Sequence, residues 1–410
     1  MNHPYTAPVN DLAELVKKYA TPLVIYSGDE LNKRLATLQN TLPSGSRLLY
    51  SVKANPNPFV LKHFNRAGLG FEVASAGELQ HVLKSGIDPG NMALGGPIKS
   101  KEAIALAISN RILSFNVESE RDLQNIIQSS GHRVNISVRI NPGFTNGDSM
   151  LKMGGLSSQF GVDENEVIPL IRKYRKFASI NGLFMFTGSQ YFDARNIIQN
   201  TRYLAEFAEK HKDEFDHLDF LDFGGGFGVS DQADPRELDM EELKSGLAGL
   251  FEMKREFLGT VRYKFFESGR YLTTTSATLV SSVLDVKYSK GKKYILLDTG
   301  INHLGIKLFD PARKLCIHTV KEYRQYSPAI LTGASCTPLD IIQNETEFAD
   351  VETGDLVMIR NVGAYTASLS PYNFCGFTHP AEVSLDAGGR VGLIRKRGEI
   401  ENSCGSGYLY

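Results

Sequence analysis

The chain has 410 residues, of which 42% are hydrophobic and 22% charged, and its 45 basic side chains nearly cancel its 46 acidic ones. This composition predicts a globular protein with two domains, or one barrel with an added module. The balanced charge argues against a surface for nucleic acid or for an anionic membrane.

Local features narrow the class of protein further. No apolar run approaches the roughly 18 residues that span a bilayer, and the polar first ten residues do not resemble a signal peptide. The cysteines lack C-x-x-C spacing, so we expect neither a disulfide framework nor a metal site. A cytoplasmic protein is therefore expected. The four cysteines are Cys316, Cys336, Cys375 and Cys404.

Short apolar strands alternate with amphipathic helices from residue 46 to about 270. Helix-length segments such as 75–85, 119–128, 194–215 and 239–258 separate the strands. Eight strands are the number that closes a parallel βα barrel. The predicted strands are 47–52, 70–73, 92–94, 112–117, 134–140, 180–186, 218–223 and 261–266.

An open doubly wound sheet is the competing arrangement, and it normally carries one dominant ligand motif. Here polar or glycine-rich clusters follow nearly every strand, as expected for a barrel whose ligand site lies at the carboxyl ends of its strands. We therefore favour a (β/α)8 TIM-like barrel over residues 31–272. The clusters are Lys53, Glu72, 95–96, 139–141, 187–190, 224–226 and 267–270.

The pattern changes to strands separated by Gly, Pro and Asn turns after about residue 272. This spacing predicts an all-β, Greek-key-like domain at 273–410. A further strand at 22–26 precedes the barrel, and we expect the segment 1–30 to contribute to the β domain. The C-terminal strands are predicted at 273–288, 294–298, 314–320, 356–360, 381–385 and 391–395.

Lys53 follows an apolar run and precedes Asn-Pro-Asn-Pro, which ends a strand. A lysine at the inner end of a buried strand needs a reason for its desolvation. A Schiff base with an aldehyde cofactor is one reason, because it requires a lysine whose amine is deprotonated by its surroundings.

Other motifs are ambiguous when they are taken singly. The glycines of 224–228 allow amides to approach a phosphate, or they form only a loop with positive φ. Glu267 and Arg270 can hold a pyridinium nitrogen and a phosphate, or form a surface ion pair. Ser189 is either a phosphate ligand or part of a turn, and Cys336 is either an acid or a buried cysteine.

Taken in order, these motifs resemble the pyridoxal-phosphate-dependent decarboxylases of the alanine-racemase fold (fold type III), the group of diaminopimelate and ornithine decarboxylases. The similarity covers about residues 20–400, with Ser268 in place of a proline. The matching segments are Tyr50-Ser-Val-Lys53-Ala-Asn, Glu72-Val-Ala-Ser-Ala-Gly-Glu78, 224–228, 267–270, Cys336-x-x-x-Asp340, Gly363-Ala-Tyr365 and Asn373-Phe-Cys-Gly-Phe377.

The resemblance implies that Lys53 binds pyridoxal 5'-phosphate and that Cys336, from the neighbouring subunit of a homodimer, reprotonates the product. Glu267 would keep the ring nitrogen protonated. The implied cofactor-binding residues are Lys53, Glu72, Arg139, Phe186, Ser189, Gly225, Gly226, Phe227, Glu267, Gly269, Arg270 and Tyr365.

Three departures from the family concern the substrate and the ring. Thr337 occupies the position at which diaminopimelate and ornithine decarboxylases carry an acidic residue, which contacts the distal amine of their substrates. The stretch around His303, Asn-His-Leu-Gly-Ile, lacks the arginine expected for a distal carboxylate. Phe186 replaces a ring-stacking histidine and cannot titrate. We expect Thr337, Asp340 and His303 to contact the substrate.

The segments 150–155, 159–161, 187–190, 336–340 and 363–371 resemble the decarboxylases that act on a glutamyl group tethered to an acyl-carrier protein, as in butirosin biosynthesis. The prediction is therefore decarboxylation of an L-amino-acid-type group on a carrier protein, or of another specialised-metabolism precursor. Free diaminopimelate, ornithine or lysine is the alternative substrate. A racemase would need a tyrosine base, and a non-catalytic regulator would normally lack the lysine or the phosphate ligands.

Overall fold

The computed structural model describes residues 9–145, 151–155, 157–230, 236–309, 311, 313–386 and 389–399. Cys404 and the first residue of the segment 150–155, which were mentioned above, lie outside these residues. No helix in the described ranges is long and apolar enough to cross a membrane. The chain divides into a β unit, Met1–Lys33, Ser230–Pro235 and Leu272–Tyr410, and a barrel unit, Arg34–Val229 and Arg236–Tyr271.

The strands, in chain order, are β1 Leu23–Ser27, β2 Ser46–Ser51, β3 Gly70–Val73, β4 Met92–Leu94, β5 Ser114–Val117, β6 Asn135–Asn141, β7 Leu151–Lys152, β8 Val162–Asp163, β9 Ser179–Phe184, β10 Gly188–Ser189, β11 Phe220–Asp222, β12 Tyr263–Ser268, β13 Ala277–Ser289, β14 Lys292–Leu297, β15 Cys316–Thr319, β16 Tyr326–Thr332, β17 Ile341–Ala349, β18 Leu356–Arg360, β19 Ala381–Leu385 and β20 Val391–Arg395.

The helices are α1 Val9–Tyr19, α2 Gly28–Thr41, α3 Pro58–Arg66, α4 Ala76–Lys84, α5 Lys101–Ser109, α6 Glu120–Ser129, α7 Glu164–Tyr174, α8 Ala194–Lys210, α9 Met240–Met253, α10 Arg255–Thr260, α11 Arg270–Thr273 and α12 Ile306–Phe309. The predicted helix at 239–258 is thus two helices, because the chain leaves the helical conformation at Lys254.

A closed parallel barrel forms the core of the barrel unit, in the order β2-β3-β4-β5-β6-β9-β11-β12 with β12 pairing back to β2. Leu49, Ala93, Phe220 and Phe265 form one buried cluster. Since β4 and β11 are not neighbours in the sheet, these contacts run across the barrel interior. The prediction of a (β/α)8 barrel with a C-terminal β domain is confirmed.

Serine caps begin three helices that follow barrel strands. Ser75, Ser100 and Ser119 each accept a hydrogen bond from the backbone N–H three residues later. Such a cap satisfies an otherwise unpaired donor and stabilises a helix by about 1 kcal/mol. A helix therefore begins soon after the carboxyl end of each of β3, β4 and β5, where the loops face the candidate site.

The β unit contains a mixed nine-stranded sheet, β17-β16-β14-β13-β1-β19-β20, with β15 and β18 joined through β13. The strand predicted at 22–26 is present as β1 and pairs with β13 and β19. Leu12 and Leu15 of α1 pack on this sheet. The sequence interpretation missed α1, β16 and β17; β17 is an edge strand with several exposed polar residues, and its hydrophobic signal is correspondingly weak.

Gly182 lies in β9 at a position that has no room for a side chain. A Cβ there would be 2.2 Å from Ser137 Oγ and 2.8 Å from Phe220 Cβ. We expect Gly182→Ala to lower the free energy of unfolding by roughly 1–3 kcal/mol, measured by urea denaturation. Gly249→Ala on α9 is the matched control, since its Cβ would meet nothing within 4 Å. A helical alanine should stabilise there, and equal effects of the two changes would contradict the packing argument.

Candidate active site

Lys53 lies in a short 3-10 turn directly after β2, at the carboxyl end of the barrel. Its Nζ donates a hydrogen bond of 2.9 Å to Glu72 Oε2 on the neighbouring strand β3. The Lys53 side chain is 44% exposed, whereas that of Glu72 is 6% exposed. The expected desolvation of this lysine is therefore wrong: the amine is reachable from solvent, and a buried carboxylate orients it.

Two carboxyl groups, Asp222 and Glu267, lie buried at the ends of β11 and β12. These two strands are neighbours in the barrel sheet. Burial raises the pKa of Asp222 to about 7 and raises that of Glu267 well above its usual range, to which the nearby Glu72 adds in both cases. Within the described structure, Glu267 Oε1 has no hydrogen-bond partner. This oxygen can accept a hydrogen bond from a protonated ring nitrogen.

The glycine segment 224–228 packs tightly against the end of β12. The Gly224 N–H donates to Asp222 Oδ1 at 2.9 Å, and the Glu267 N–H donates to the Gly224 carbonyl at 2.6 Å. A Cβ on Gly225 would lie 1.8 Å from the Glu267 carbonyl oxygen. Only glycine fits there, so the segment holds its backbone beside the buried carboxyl pair.

Gln190 is hydrogen-bonded to the backbone directly after this glycine segment. The sequence interpretation did not include it among the site residues. Its side-chain amide donates to the Val229 carbonyl and accepts from the Val229 N–H, both at 3.0 Å. Gln190 is buried and has a φ of 65°. The signal was its place next to Ser189, which lies in the short strand β10 paired with β7.

The guanidinium of Arg139, on β6, is hydrogen-bonded to other groups of the protein. It donates two hydrogen bonds of 3.0 Å to the Glu118 carboxylate and one of 3.1 Å to the Phe186 carbonyl. These contacts hold the Arg139 guanidinium between Glu118 and Phe186, and its contact with the cofactor stays a prediction. Glu118, which the sequence interpretation missed, also accepts the Gly161 N–H.

Phe186 is half-buried and packs on the glycine segment. Its Cδ2 lies 3.0 Å from the position that a Cβ on Gly224 would occupy. Gly269 lies close to the Lys53 turn, since a Cβ added to it would lie 2.7 Å from the Cβ of Ala54. Closure of the barrel thus brings Lys53, Glu267 and the start of α11 at Arg270 to one place.

Asp340 in the β unit is buried, and its carboxylate accepts hydrogen bonds from backbone N–H groups. Its Oδ1 accepts the Ile301 N–H at 2.8 Å, and its Oδ2 accepts the Ser335 N–H at 2.7 Å. The carboxylate thereby fixes the turn that carries exposed Cys336 and half-buried Thr337. The contact of Asp340 with the substrate stays a prediction.

His303 is also buried, with both ring nitrogens occupied. Its Nδ1 lies 3.2 Å from Thr299 Oγ1, and its Nε2 lies 3.1 Å from the Thr378 carbonyl. Burial lowers the pKa of His303 to about 4, so the ring is neutral near pH 7. These contacts fix the 299–305 turn. The contact of His303 with the substrate stays a prediction.

Tyr365 lies in the β unit, half-buried and with a φ of 55°. A non-glycine residue held in this region indicates local backbone strain, which is frequent at functional positions. The preceding Gly363 packs so closely that a Cβ would lie 1.8 Å from the Thr273 carbonyl oxygen. The contact of Tyr365 with the cofactor stays a prediction.

The barrel residues fit pyridoxal phosphate. The unpartnered oxygen of Glu267 suits a protonated ring nitrogen, and an accessible amine at Lys53 suits an aldehyde. The glycine segment provides backbone that a phosphate can approach. Ser189, Gly225, Gly226, Phe227, Gly269 and Arg270 would complete the binding site.

Comparison with known proteins agrees with this fit. Residues 28–274 match the family described as pyridoxal-dependent decarboxylase, pyridoxal binding domain. The L-glutamyl-[BtrI acyl-carrier protein] decarboxylase of Niallia circulans is 28% identical over 406 residues, 96% of this chain and 95% of that protein. Diaminopimelate decarboxylase of Helicobacter pylori is 28% identical over 400 residues, with 95% and 96% covered.

The crystal structure of the Helicobacter pylori diaminopimelate decarboxylase complexed with L-lysine is similar throughout. Its TM-score is 0.87 at 27% identity, with 96% of this chain and 98% of that chain covered. Fold, site and sequence therefore agree: the chain belongs to the pyridoxal-phosphate-dependent decarboxylases of the family that includes the diaminopimelate decarboxylases.

Proposed function

We propose that this decarboxylase acts on an amino-acid group, such as glutamyl, that is tethered to an acyl-carrier protein. The observation that carries the proposal is the absence of a suitable charge at the predicted substrate contacts in the described 299–305 and 333–340 turns. Asp340 and His303 are buried and occupied by protein groups, and Thr337 is neutral. A tethered aminoacyl thioester has no distal ammonium group to be recognised. The Niallia circulans relative acts on such a substrate.

A free diamino acid is the second candidate. The diaminopimelate decarboxylases are as similar in identity as the carrier-dependent enzyme, and one of them is complexed with L-lysine in its crystal structure. This alternative requires a cation-binding group elsewhere in the chain.

We propose that four side chains carry the reaction, and three of them lie at the barrel site described above. Bound pyridoxal phosphate supplies the electron sink for cleavage of the bond to the carboxyl group. Lys53 Nζ would hold its aldehyde group, with Glu72 orienting the amine, and Glu267 would keep the ring nitrogen protonated. Cys336 donates the proton that replaces the departing carboxyl group.

We also propose that residues 31–272 act as the cofactor domain and that residues 273–410, with 1–30, supply Cys336 to a neighbouring subunit. The exposed Cys336 thiol, on a turn fixed by Asp340, supports this arrangement. A homodimer with shared active sites follows from it. A cytoplasmic location stays a prediction.

Lys53→Ala tests the cofactor attachment. The variant should lose the visible absorption band of the lysine-bound cofactor, because no other group replaces the amine held beside Glu72. Spectra recorded after incubation with pyridoxal phosphate measure this loss. Lys62→Ala, at an exposed position on α3 of the same unit, should keep the band. An unchanged band in Lys53→Ala would remove Lys53 from the mechanism.

Mass spectrometry tests the substrate. The cofactor-loaded protein is incubated with free glutamate, ornithine, lysine and diaminopimelate, and separately with glutamyl-loaded carrier protein. We expect loss of carbon dioxide only from the tethered glutamyl group, because Thr337 cannot pair with a distal cation. Carbon dioxide released from a free diamino acid would favour the second candidate, and release from none of the substrates would contradict the glutamyl assignment.

Mixed dimers test whether the active sites are shared. Lys53→Ala and Cys336→Ala should each be inactive alone, and co-expressed chains with different affinity tags should regain part of the activity. In such a dimer, one barrel keeps Lys53 and receives an intact Cys336 from its neighbour. Lys53→Ala combined with Glu267→Gln is the matched control, since neither barrel is then complete. If the pair of Lys53→Ala and Cys336→Ala chains regained no activity, Cys336 would not act across subunits, whatever the result for the control pair.

A further inference from the structure

A buried ion pair links Glu118, directly after β5, to Arg139 on β6. The two residues are 4% and 5% exposed, and two hydrogen bonds of 3.0 Å join the Glu118 carboxylate to Arg139 Nη1. Glu118 Oε2 also accepts the Gly161 N–H at 3.1 Å. Removing the carboxylate would leave the guanidinium as a buried charge without its partner, so the position of Arg139 depends on Glu118.

The other end of the Arg139 guanidinium holds backbone near the expected cofactor ring. Its Nη2 donates to the Phe186 carbonyl at 3.1 Å and to the Met153 carbonyl at 3.3 Å. The guanidinium carbon lies 4.8 Å from the centroid of the Phe160 ring and 5.3 Å from that of the Phe184 ring. Two aromatic rings and two carbonyl oxygens therefore leave the guanidinium little freedom.

The backbone that carries Phe186 and Ser189 is built on the strand β7. The Met153 N–H, just after β7, donates to the Thr187 carbonyl at 2.8 Å. Ser189 lies in β10, which pairs with β7. Because Arg139 binds the carbonyl groups of both Met153 and Phe186, it fixes this backbone at two points.

The phenyl side chain of Phe186 makes this backbone attachment important. A phenyl ring has no hydrogen-bond donor of the ordinary kind, so it can orient a cofactor ring only by packing against it. The place of the phenyl ring therefore depends on the backbone that carries it. Both oxygens of Glu118 are engaged by Arg139, so the effect of Glu118 on Phe186 passes through that guanidinium.

We infer that Glu118 is a positioning residue for the cofactor ring. It holds Arg139, and Arg139 holds the Phe186 carbonyl, so that the phenyl ring of Phe186 packs on the face of pyridoxal phosphate in one orientation. This inference rests on the cofactor of the family and on the expected place of Phe186 at the ring, and not on the proposed substrate.

The experiment compares Glu118→Gln with the wild type and with the matched control Asp122→Asn. Asp122 is the carboxylate of a second buried ion pair in the barrel unit, in which its partner is Lys99. Titration with pyridoxal phosphate measures the affinity, and visible circular dichroism per bound cofactor reports how the protein orients the ring. Thermal unfolding of the same samples measures their stability.

Glu118→Gln should bind pyridoxal phosphate roughly tenfold more weakly, the size of loss seen when the outer partner of a metal ligand is changed. Its circular dichroism per bound cofactor should be smaller than that of the wild type. Asp122→Asn should be less stable but keep both the affinity and the dichroism, since the contacts of the Lys99–Asp122 pair are with residues 96, 99, 116 and 119. Wild-type dichroism in Glu118→Gln, or an equal loss in Asp122→Asn, would overturn the inference.

A double variant tests the route through Arg139. Adding Glu118→Gln to Arg139→Met should cause no further loss of affinity or dichroism, because no guanidinium is then left for Glu118 to position. Losses that add up would show that Glu118 acts by another route, and the inference would be rejected.

Glu118→Asp keeps the negative charge beside Arg139, so it tests the inference even if Glu118→Gln does not fold. Its carboxylate is one methylene shorter and cannot keep all the contacts with Arg139 and Gly161, so its dichroism should fall below that of the wild type. Dichroism equal to that of the wild type would contradict the positioning role. Failure of the wild type to bind pyridoxal phosphate would instead contradict the cofactor assignment, so the two failures are distinguishable.

Discussion

The pairing of β12 with β2, which closes the barrel, is the constraint on which the site depends. In this register Glu267 lies opposite Leu49 and Ser268 opposite Tyr50, so the chain after β12 runs beside the Lys53 turn. These two segments are separated by more than 200 residues in the sequence. Because parallel strands place their carboxyl ends at one face, closure also brings Glu72 and Asp222 to the same side. A lysine amine and three carboxyl groups are thus assembled by backbone pairing.

The burial of so many ionisable groups is tolerated because almost every one is matched. Lys99 donates to Asp122 and to two carbonyl oxygens, and Arg139 donates to Glu118. Removing one partner of such a pair leaves an uncompensated charge in a buried position, which costs several kcal/mol. Within the described part of the barrel, Glu267 Oε1 is a buried carboxyl oxygen without a partner, where a cofactor nitrogen is expected.

Much of this organisation could be predicted from the sequence, because strand periodicity and turn residues are local signals. The eight barrel strands, β1, Lys53 and Glu267 belong to this class. The contacts of Asp340 with Ile301 and of His303 with Thr378 could not be predicted, because these partners are remote or on other turns and burial cannot be deduced from a motif. Asp222, Glu118 and Gln190 were missed for the same reason: their roles arise from contacts between strands that only the closed barrel brings together.

Two lysines follow strands of the barrel, and their different surroundings bear on chemical selectivity. Lys99, after β4, has a completely buried side chain whose ammonium group donates to three oxygens, whereas Lys53 is partly open to solvent. An aldehyde must reach a nitrogen lone pair, and the Lys99 nitrogen is both enclosed and saturated with acceptors. The protein thereby directs a reactive carbonyl compound to one amine and spares the other, without any need to recognise the compound at the protected position.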